Sequence, residues 1–376
     1  MGSGTPASSH SPSPITHPPR CLLVMAGGTG GHVMPALAVA EHLRAEGWRV
    51  VWLGTQAGME ARIAVEKGFE MAWVKVAGVR GKGLLTKLLL PMNLLLAFWQ
   101  ATRHIFRERP DAALGLGGYV AFPGGMMASL LGKPLVIHEQ NAIAGLTNRV
   151  LSKVADRVLL GLPLAAGDAA LGNKTEWVGN PVRPEIAALP VPGERLTGRQ
   201  GPLRLLVVGG SLGATALNER VPEALARIPA EQRPLVRHQS GRKHLEALQA
   251  NYRSAGVEAE CLDFIADMAE AYAWADVVIC RAGALTVAEI AASGSAALFV
   301  PYPHAVDDHQ TANARFLADA GAAWMTAQAA LTPGQLADWF QGLNRAELIE
   351  RADKARSLAK PDATRRVAEV VKEMTQ

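Results

Sequence analysis

Short apolar runs alternate with amphipathic stretches along the whole chain. The amphipathic stretches, such as PALAVAEHLRAEG and LTVAEIAAS, have apolar positions at helical spacing. The apolar runs have the length of strands: CLLVMA, RVVWLG, AALGLG, PLVIHE, RVLLGL, LRLLVVGG, PLVRHQ, DVVICR and AALFVP. This alternation predicts an α/β protein in which parallel sheets are covered by helices.

The two halves of the chain resemble each other. RCLLVMAGGTGGHVMPALAVAEHL corresponds to LRLLVVGGSLGATALNERVPEAL, and both run from a strand through Gly-Gly, Ser or Thr, one further residue and Gly into a helix. We therefore predict two Rossmann-like domains. Open sheets of this kind bind ligands at the carboxyl ends of their strands, which is where these glycines lie.

Changes in composition indicate the domain boundaries. Residues 1–19 are rich in Ser, Pro and Thr without an apolar centre, which predicts a disordered leader and not a signal peptide. Pro and Gly mark a hinge at VGNPVRP and an exposed linker at AALPVPGERLTGRQGP. The predicted units are a first domain at 20–179, a second at 180–360 and a final helix within 361–376.

Composition limits the function classes. The chain has 376 residues, of which 49% are hydrophobic and 19% charged, so it suits two globular domains. Its net charge of +4 comes without a dense Lys/Arg block, which argues against nucleic acid and fits an anionic substrate or membrane surface. Cys21, Cys261 and Cys280 have neither disulfide-framework nor zinc-site spacing, which indicates a reducing compartment.

The glycine-rich turn AGGTGGH follows the first predicted strand. A turn of this kind presents backbone N–H groups and a helix N-terminus, both of which attract phosphate. Val33 stands where a dinucleotide site needs a small residue, and no GKS or GKT follows, so neither a nicotinamide site nor an ATP-binding P-loop is predicted. A second glycine turn, at Gly209, Gly210 and Gly213, supports ligand binding over simple close packing.

His32 ends the first glycine turn. As a neutral imidazole it would accept a proton from an attacking hydroxyl. The alternative is that His32 only caps the loop by a hydrogen bond, and the sequence favours neither.

RAGALTVAEIAASG, residues 281–294, places a helix directly after an apolar strand. A diphosphate at the start of this helix, near Thr286, would gain N–H bonds and a favourable helix dipole. Glu289 lies one turn further on and can accept hydrogen bonds from a ribose diol. The alternative is a capping box formed by Thr286 and Glu289.

PHAVDDHQTANA follows the last predicted strand. His309, Gln310 and Asn313 suit sugar hydroxyls, because all three are uncharged and polar. Asp307 and Asp308 suggest a metal, but no third carboxylate is near in sequence, so a solvated loop is the favoured interpretation.

Polar residues also follow the strand PLVI, in HEQNAIAGLTNR. His138, Glu139, Gln140 and Asn141 form a cluster aimed at the same sheet edge. A buried structural network is an equally good interpretation.

Residues 81–100 are mostly apolar, but Lys87 and Pro91 interrupt them and the run is shorter than the roughly 20 residues a membrane span needs. Basic residues surround the run, which fits a segment lying on an anionic membrane. Taken alone, the pattern slightly favours a buried helix instead.

Eight motifs occur in a fixed order within residues 21–370: GGTGGH, GGYVAFPGG, HEQN-x-IAGLTN, GNPVR, GGS-x-GA, FI-x-DMA, GALTVAEIAA and HQTANA. Together they resemble the MurG family, the bacterial peptidoglycan N-acetylglucosaminyltransferases. The resemblance implies the GT-B fold, with two Rossmann-like domains facing across a deep cleft and a final helix that returns to the first domain.

The resemblance also implies a reaction. N-acetylglucosamine would pass from UDP-N-acetylglucosamine to the C4 hydroxyl of the muramic sugar of undecaprenyl-diphosphate-linked lipid I, with inversion, giving lipid II for cell-wall synthesis. The protein would lie peripherally at the cytoplasmic face of the bacterial inner membrane. Implied partners are the two substrates, an anionic membrane surface and other cell-wall synthesis proteins; no cofactor would be required, and stimulation by divalent ions stays open.

Carried over motif by motif, the resemblance assigns roles to residues of this chain. His32, His138 and Glu139 are candidates for removing the acceptor proton. The implied contacts with UDP-N-acetylglucosamine are Thr29, Gly30, Gly31, Asn141, Arg183, Ser211, Ile265 (through its backbone, to uracil), Ala284, Leu285, Thr286, Val287, Ala288, Glu289 and Gln310. The implied membrane-docking residues are Lys82, Leu84, Leu85, Leu88, Leu89 and Trp99.

The chain departs from the family pattern in two places. Leu212 replaces a usual Gln, and Ser295-Ala296 replaces a common Leu-Pro pair, which predicts a looser loop there. The other functions considered are a UDP-N-acetylglucosamine epimerase and a catalytically silent sugar-nucleotide sensor on the same fold. The apolar and basic segment at 80–103 argues against the epimerase, and His32, Glu289 and Gln310 argue against the sensor.

Overall fold

A parallel sheet forms the first half of the protein in the computed structural model, which describes residues 18–76, 90–167, 171–172, 174–210 and 213–376. Within these residues the sheet has seven strands in the order β3-β2-β1-β4-β5-β6-β7. The strands are β1 (Cys21–Ala26), β2 (Arg49–Gly54), β3 (Glu70–Trp73), β4 (Ala112–Gly117), β5 (Leu135–Glu139), β6 (Arg157–Leu160) and β7 (Thr175–Trp177). The central strands are buried on both faces, so their sequences are continuous apolar runs.

Helices cover both faces of this first sheet. They are α1 (Gly30–Ala45), α2 (Met59–Glu66), α3 (Leu90–Glu108), α4 (Ala121–Leu130) and α5 (Leu146–Leu151). The first helix begins at Gly30, so two of the glycines of the first turn form its opening residues instead of a separate loop.

A second parallel sheet follows, with six strands in the order β10-β9-β8-β11-β12-β13 among the described residues. The strands are β8 (Arg204–Val208), β9 (Leu235–Gln239), β10 (Glu260–Leu262), β11 (Val277–Cys280), β12 (Ala296–Phe299) and β13 (Trp324–Met325). The helices from here to the chain end are α6 (Pro184–Ala187), α7 (Pro192–Leu196), α8 (Thr215–Ala226), α9 (Leu245–Ala255), α10 (Met268–Trp274), α11 (Ala284–Ser293), α12 (His309–Ala318), α13 (Pro333–Gln341), α14 (Arg345–Ser357) and α15 (Ala363–Glu373). The predicted α/β class with two parallel sheets is confirmed.

More than half of the residues in the predicted exposed linker, residues 187–202, are exposed, but arginines of this segment anchor it to the second domain. Arg195 donates to the carbonyl oxygens of Tyr272 at 2.6 Å and Ser293 at 2.8 Å. Arg199 likewise donates to the carbonyl oxygen of Trp274 at 2.8 Å. These guanidinium groups satisfy carbonyls at the C-termini of α10 and α11, where the helix dipole favours a cation.

The final helix lies against the first sheet, although it follows the second in sequence. Val367 and Val371 of α15 are fully buried in the core that contains Leu22 of β1. Arg366 holds Glu176 at the end of the first domain, with 2.7 Å between Nε and Oε1. The boundaries proposed for the domains at 179/180 and 360/361 remain predictions.

The residue after the end of α11 is buried and hydrogen-bonded, and the prediction that Ser295-Ala296 makes this loop looser than a Leu-Pro pair would stays a prediction. Ser295 is buried, and its hydroxyl lies 2.8 Å from that of Ser293. The two serine hydroxyls are therefore hydrogen-bonded to each other across the end of α11.

Candidate active site

Two glycine loops meet at the carboxyl ends of β1 and β4. The chain leaves β4 through Gly117 and Gly118, whose φ angles are +101° and +80°. A Cβ atom added at Gly118 would overlap the carbonyl oxygen of Gly27 in the loop after β1. The missing side chains therefore allow the two loops to touch at the edge of the sheet.

We expect Gly118→Ala to lower the free energy of unfolding by about 2–5 kcal/mol, because left-handed strain and steric overlap both act there. Gly132→Ala is the matched control, since Gly132 has a φ of +68° but open space around its Cβ position. Its cost should be limited to left-handed strain, about 1–2 kcal/mol. Urea unfolding measures both, and equal losses would mean that the approach to Gly27 carries no energy.

The start of α1 is open to a ligand. Thr29 is its N-cap residue, and its side chain makes no capping hydrogen bond to the first turn. Thr29 and Gly31 are exposed and Gly30 is half-buried. The structure thus brings these three predicted substrate contacts together beside an uncapped helix N-terminus.

His32 lies between the two glycine loops. Its Nδ1 is 3.2 Å from the carbonyl oxygen of Gly27, and a Cβ added at Gly117 would lie 3.0 Å from the ring. A carbonyl oxygen can only accept a hydrogen bond, so Nδ1 carries the proton and Nε2 carries the lone pair. Burial lowers the pKa of His32 below 6.5, and the Glu139 carboxylate opposes this shift. Capping and proton acceptance use different nitrogens, so the two interpretations are compatible.

His138 and Glu139, by contrast, lie inside the protein at the end of β5. His138 is fully buried; its Nε2 lies 3.0 Å from the carbonyl oxygen of Gly179, and its Nδ1 lies 3.1 Å from Nε2 of Gln140. Both ring nitrogens therefore have partners within the protein. Burial also lowers the pKa of His138.

The Glu139 carboxylate organises the loop that follows it. Its Oε1 accepts from the backbone N–H of Asn141 at 3.0 Å, and its Oε2 accepts from the backbone N–H of Gly145 at 3.0 Å and from Nδ2 of Asn148 at 2.9 Å. This is the buried network that the sequence left open as an alternative. The catalytic role of His138 and Glu139 remains a prediction, and these contacts argue against it.

The start of α11 is a second uncapped helix N-terminus. Gly283 is its N-cap residue and has no side chain with which to cap the first turn, and Thr286 lies inside the helix, which excludes the capping box of Thr286 and Glu289. The predicted diphosphate contacts Ala284, Leu285 and Thr286 are the first three residues of the helix. Their N–H groups are therefore available to an anion.

Glu289, one turn further along α11, is hydrogen-bonded to two other side chains. Its Oε1 accepts from Nη2 of Arg183 at 2.8 Å, and its Oε2 accepts from the hydroxyl of Tyr272 at 3.2 Å. Burial raises the pKa of Tyr272 well above 10, so this hydroxyl keeps its proton. The structure thus joins two residues predicted from separate motifs and adds Tyr272, which no motif had singled out.

Two of the predicted sugar contacts on α12, Gln310 and Asn313, differ in how far their side chains are already hydrogen-bonded within the protein. Oε1 of Gln310 accepts from the backbone N–H groups of Ala282, at 3.3 Å, and Tyr302, at 2.9 Å, so a sugar contact falls to its NH2 group. Asn313 is fully buried and hydrogen-bonded to Asn141 and to Ala282. The prediction that Asn313 binds sugar hydroxyls is therefore wrong, whereas Asn141 remains half-exposed.

The remaining predicted donor contacts are distributed around these loops. Ile265 is half-buried ahead of α10, and Ala288 is half-buried on α11. Val287 is fully buried in the core of the second domain, so its predicted donor contact is restricted to its backbone. Ser211 and Leu212 lie outside the described residues.

Asp307 and Asp308 are exposed, in agreement with the solvated-loop interpretation. Asp308 accepts a hydrogen bond from the Thr311 hydroxyl at 2.7 Å. Within the ranges that the structure describes, no cluster of three His, Cys, Asp or Glu side chains is arranged to hold a metal ion.

Helix α3 carries an exposed apolar surface, here called the α3 apolar face. One side of the helix packs inward through Ala97, Ala101 and Ile105. The α3 apolar face on the other side consists of Met92, Leu95, Leu96, Trp99 and Phe106. Of the predicted docking residues, Trp99 is 58% exposed, and Lys82, Leu84, Leu85, Leu88 and Leu89 lie outside the described residues. Among the described helices, none combines the length and apolarity that a bilayer crossing requires.

Family models and curated relatives both assign the chain to the same glycosyltransferase family. Residues 22–160 match the glycosyltransferase family 28 N-terminal domain and residues 204–371 match the glycosyltransferase family 28 C-terminal domain. The chain is 58% identical, over 95% of its length and 99% of the relative, to a UDP-N-acetylglucosamine--N-acetylmuramyl-(pentapeptide) pyrophosphoryl-undecaprenol N-acetylglucosamine transferase of Dechloromonas aromatica. A protein of the same name from Aromatoleum aromaticum is 61% identical over 94% of this chain and 98% of its own length.

Solved structures show the same architecture. The crystal structure of MurG from Acinetobacter baumannii is 46% identical and superposes with a TM-score of 0.82, covering 94% of this chain and 100% of that one. A UDP-N-acetylglucosamine 2-epimerase from Neisseria meningitidis superposes with a TM-score of 0.63 at 12% identity, over 94% of this chain and 100% of that one, which shows a shared fold alone. The GT-B arrangement expected from the sequence is thereby confirmed.

Proposed function

The chain belongs to glycosyltransferase family 28, and from this premise we propose that it transfers N-acetylglucosamine from UDP-N-acetylglucosamine to N-acetylmuramyl-(pentapeptide) pyrophosphoryl-undecaprenol. The observation that carries the proposal is 58–61% identity over nearly the whole chain to transferases of that name. The product would be lipid II, used in peptidoglycan synthesis and hence in cell shape and division.

The donor lies, in this proposal, along the carboxyl edge of the second sheet. The diphosphate sits at the start of α11, where first-turn N–H groups and the helix dipole stabilise negative charge. The ribose diol donates to Glu289, the uracil pairs with the backbone of Ile265, and the sugar contacts Asn141 and Gln310. Arg183 lies 2.8 Å from Glu289 and is close enough to this path to serve the diphosphate.

Transfer is proposed as one direct displacement. The acceptor C4 hydroxyl oxygen forms a bond to the anomeric carbon, the bond from that carbon to the UDP oxygen breaks, and UDP leaves with the electron pair. Nε2 of His32 takes the hydroxyl proton. Because a single displacement inverts the anomeric centre, no glycosyl–enzyme intermediate forms.

The fixed N–H groups at two helix starts supply the electrostatic part of catalysis. Charge develops on the departing diphosphate, and preorganised donors of this kind stabilise such charge without reorganising during the reaction. Holding donor and acceptor in one cleft adds the proximity effect. In this proposal, groups of the protein itself stabilise the departing diphosphate.

Incubation with UDP-N-acetylglucosamine and a short-chain lipid I analogue tests the proposal. We expect UDP release only when the acceptor is present, together with an acceptor that gains one N-acetylglucosamine. Epimerised donor without acceptor would indicate the epimerase instead, and donor binding without turnover would indicate the silent sensor.

We further propose that the α3 apolar face docks on an anionic membrane, at the cytoplasmic side where the lipid-linked acceptor is made. Trp99 and Leu95 are 58% and 70% exposed, and Arg103 stacks near the Trp99 ring at 5.9 Å. A surface that combines exposed apolar side chains with a cation is typical of interfacial binding.

Leu95→Glu should lower the affinity for phosphatidylglycerol-containing vesicles, measured by co-sedimentation, by about 10- to 100-fold. This is the contribution of burying one leucine side chain. Leu235→Glu is the control, because Leu235 is 52% exposed but lies on the second domain. Equal weakening by both substitutions, or by neither, would contradict docking through the α3 apolar face.

A further inference from the structure

The side chain of Asn313 ties together loops from both domains. Its Oδ1 accepts from the backbone N–H of Ala142 at 2.9 Å, and its Nδ2 donates to Oδ1 of Asn141 and to the carbonyl oxygen of Ala282, both at 3.1 Å. Asn313 is fully buried. Both hydrogens of its amide are used, so it has none to donate to a substrate.

These bonds determine which way the Asn141 amide points. Because Asn313 donates, the group it meets must be the Asn141 oxygen, and the Asn141 nitrogen is turned the other way, 3.2 Å from Oε1 of Glu139. Glu139 takes one of the two Nδ2 hydrogens of Asn141. The second is the one that a hydroxyl of the donor sugar would accept.

The same helix also holds the segment before the diphosphate site. Gln310 and Asn313 are one turn apart on α12; Gln310 accepts from the backbone N–H of Ala282 and Asn313 donates to its carbonyl oxygen. Ala282 immediately precedes Gly283, the N-cap residue of α11. Helix α12 therefore sets the distance between the start of α11 in the second domain and Asn141 in the first.

We propose that Asn313 is a positioning residue that makes recognition of the donor sugar dependent on the relative placement of the two domains. The inference rests on the proposed function, because it takes the donor to be a UDP-sugar. When the domains separate, Asn141 loses the hydrogen bond from Asn313 that orients its amide. The contacts of the second domain with the diphosphate and the ribose persist. Asn141 would then bind the sugar of UDP-N-acetylglucosamine only when the two domains are in contact through Asn313.

Isothermal titration of Asn313→Ser with UDP and with UDP-N-acetylglucosamine tests this proposal. UDP lacks the sugar, so its Kd should stay within about twofold of wild type, whereas the Kd of UDP-N-acetylglucosamine should rise about tenfold, the scale of a lost and reoriented hydrogen bond. Discrimination against UDP-N-acetylgalactosamine, which differs at one sugar hydroxyl, should fall in parallel. Asn313→Asp keeps the shape of the side chain but cannot donate when ionised, and should behave in the same way.

Two further variants separate positioning from a general loss of stability. Asn344 caps α14 by accepting from the N–H of Glu347 at 3.0 Å and does not belong to either loop, so Asn344→Ala should lower the Tm without changing the ratio of the two Kd values. In an Asn141→Ala background, Asn313→Ser should have no additional effect on that ratio.

The outcomes distinguish the inference from the function on which it rests. If wild-type protein binds neither ligand, the proposed function fails and the inference fails with it. If wild type binds both but Asn313→Ser weakens them equally, leaves both unchanged, or still acts in the Asn141→Ala background, the positioning role is overturned and the function stands.

Discussion

Replacing His32 by alanine should lower kcat by about 10²- to 10⁴-fold, the usual contribution of a general base. The Kd of UDP-N-acetylglucosamine should change little, because donor contacts lie mainly at the start of α11 and around Glu289. The fall in kcat is expected because of the tautomer of His32. The carbonyl oxygen of Gly27 accepts from Nδ1 at 3.2 Å, which leaves Nε2 unprotonated and able to act as the base. Single-turnover kinetics with saturating donor measure the effect directly.

His32→Asn provides the matched control for the capping interpretation. Asparagine can still donate to the Gly27 carbonyl but has no basic nitrogen, so its kcat should be as low as that of His32→Ala. A His32→Asn enzyme with near-normal turnover would mean that the histidine only caps the loop.

The pH dependence of kcat/KM gives an independent readout of the same group. Burial lowers the pKa of His32 below 6.5, so the neutral form predominates at pH 7. Activity should therefore persist to pH values below 6.5 and be lost as the pH falls through the lowered pKa. An acidic limb centred above 6.5 would contradict this assignment.

Glu289→Ala should raise the KM of UDP-N-acetylglucosamine by about 10- to 100-fold, because hydrogen bonds to a charged group contribute about 1.5–3 kcal/mol. The same substitution leaves Arg183 without the carboxylate that lies 2.8 Å away. A 2′-deoxyribose donor identifies the contact: it should bind wild type weakly, whereas Glu289→Ala should hardly distinguish it from the ribose donor.

Tyr272→Phe is the graded control for Glu289. It removes only the hydroxyl that lies 3.2 Å from Oε2 and leaves the carboxylate in place, so the KM should rise about 2- to 10-fold, the scale of a typical intramolecular hydrogen bond. An unchanged KM in Glu289→Ala would remove Glu289 from the donor site, whatever Tyr272→Phe does.

The central strands could be predicted from the sequence, and the edge strands could not. All nine apolar runs are strands in the structure. Among the described residues, four strands were missed: β3, β7, β10 and β13. They are the edges of the two sheets and have two to four residues each. An edge strand is covered less completely than a central one, so it needs no continuous apolar run to be stable.

Local sequence was a poorer guide to capping. Thr286 and Glu289 have the spacing of a capping box, yet the helix starts earlier, at Ala284 after Gly283. Glu289 turns instead to Arg183 and Tyr272, which come from elsewhere in the chain. The pairing depends on the packing of α6 and α10 against α11, and no short-range pattern contains it.

By itself the sequence determined the fold class, the central strands, the glycine turns at their carboxyl ends and the family, because these depend on local periodicity and on motifs that lie along the chain. Only the tertiary structure decided what each polar side chain does. His138, Glu139 and Asn141 are near neighbours at the end of β5 and in the loop after it. Gly179 and Asn313 are far away in sequence, yet His138 contacts the carbonyl oxygen of Gly179 and Asn313 orients the amide of Asn141. Direction in such a cluster is set by hydrogen-bond partners that the fold brings within about 3 Å, the distance at which these bonds form.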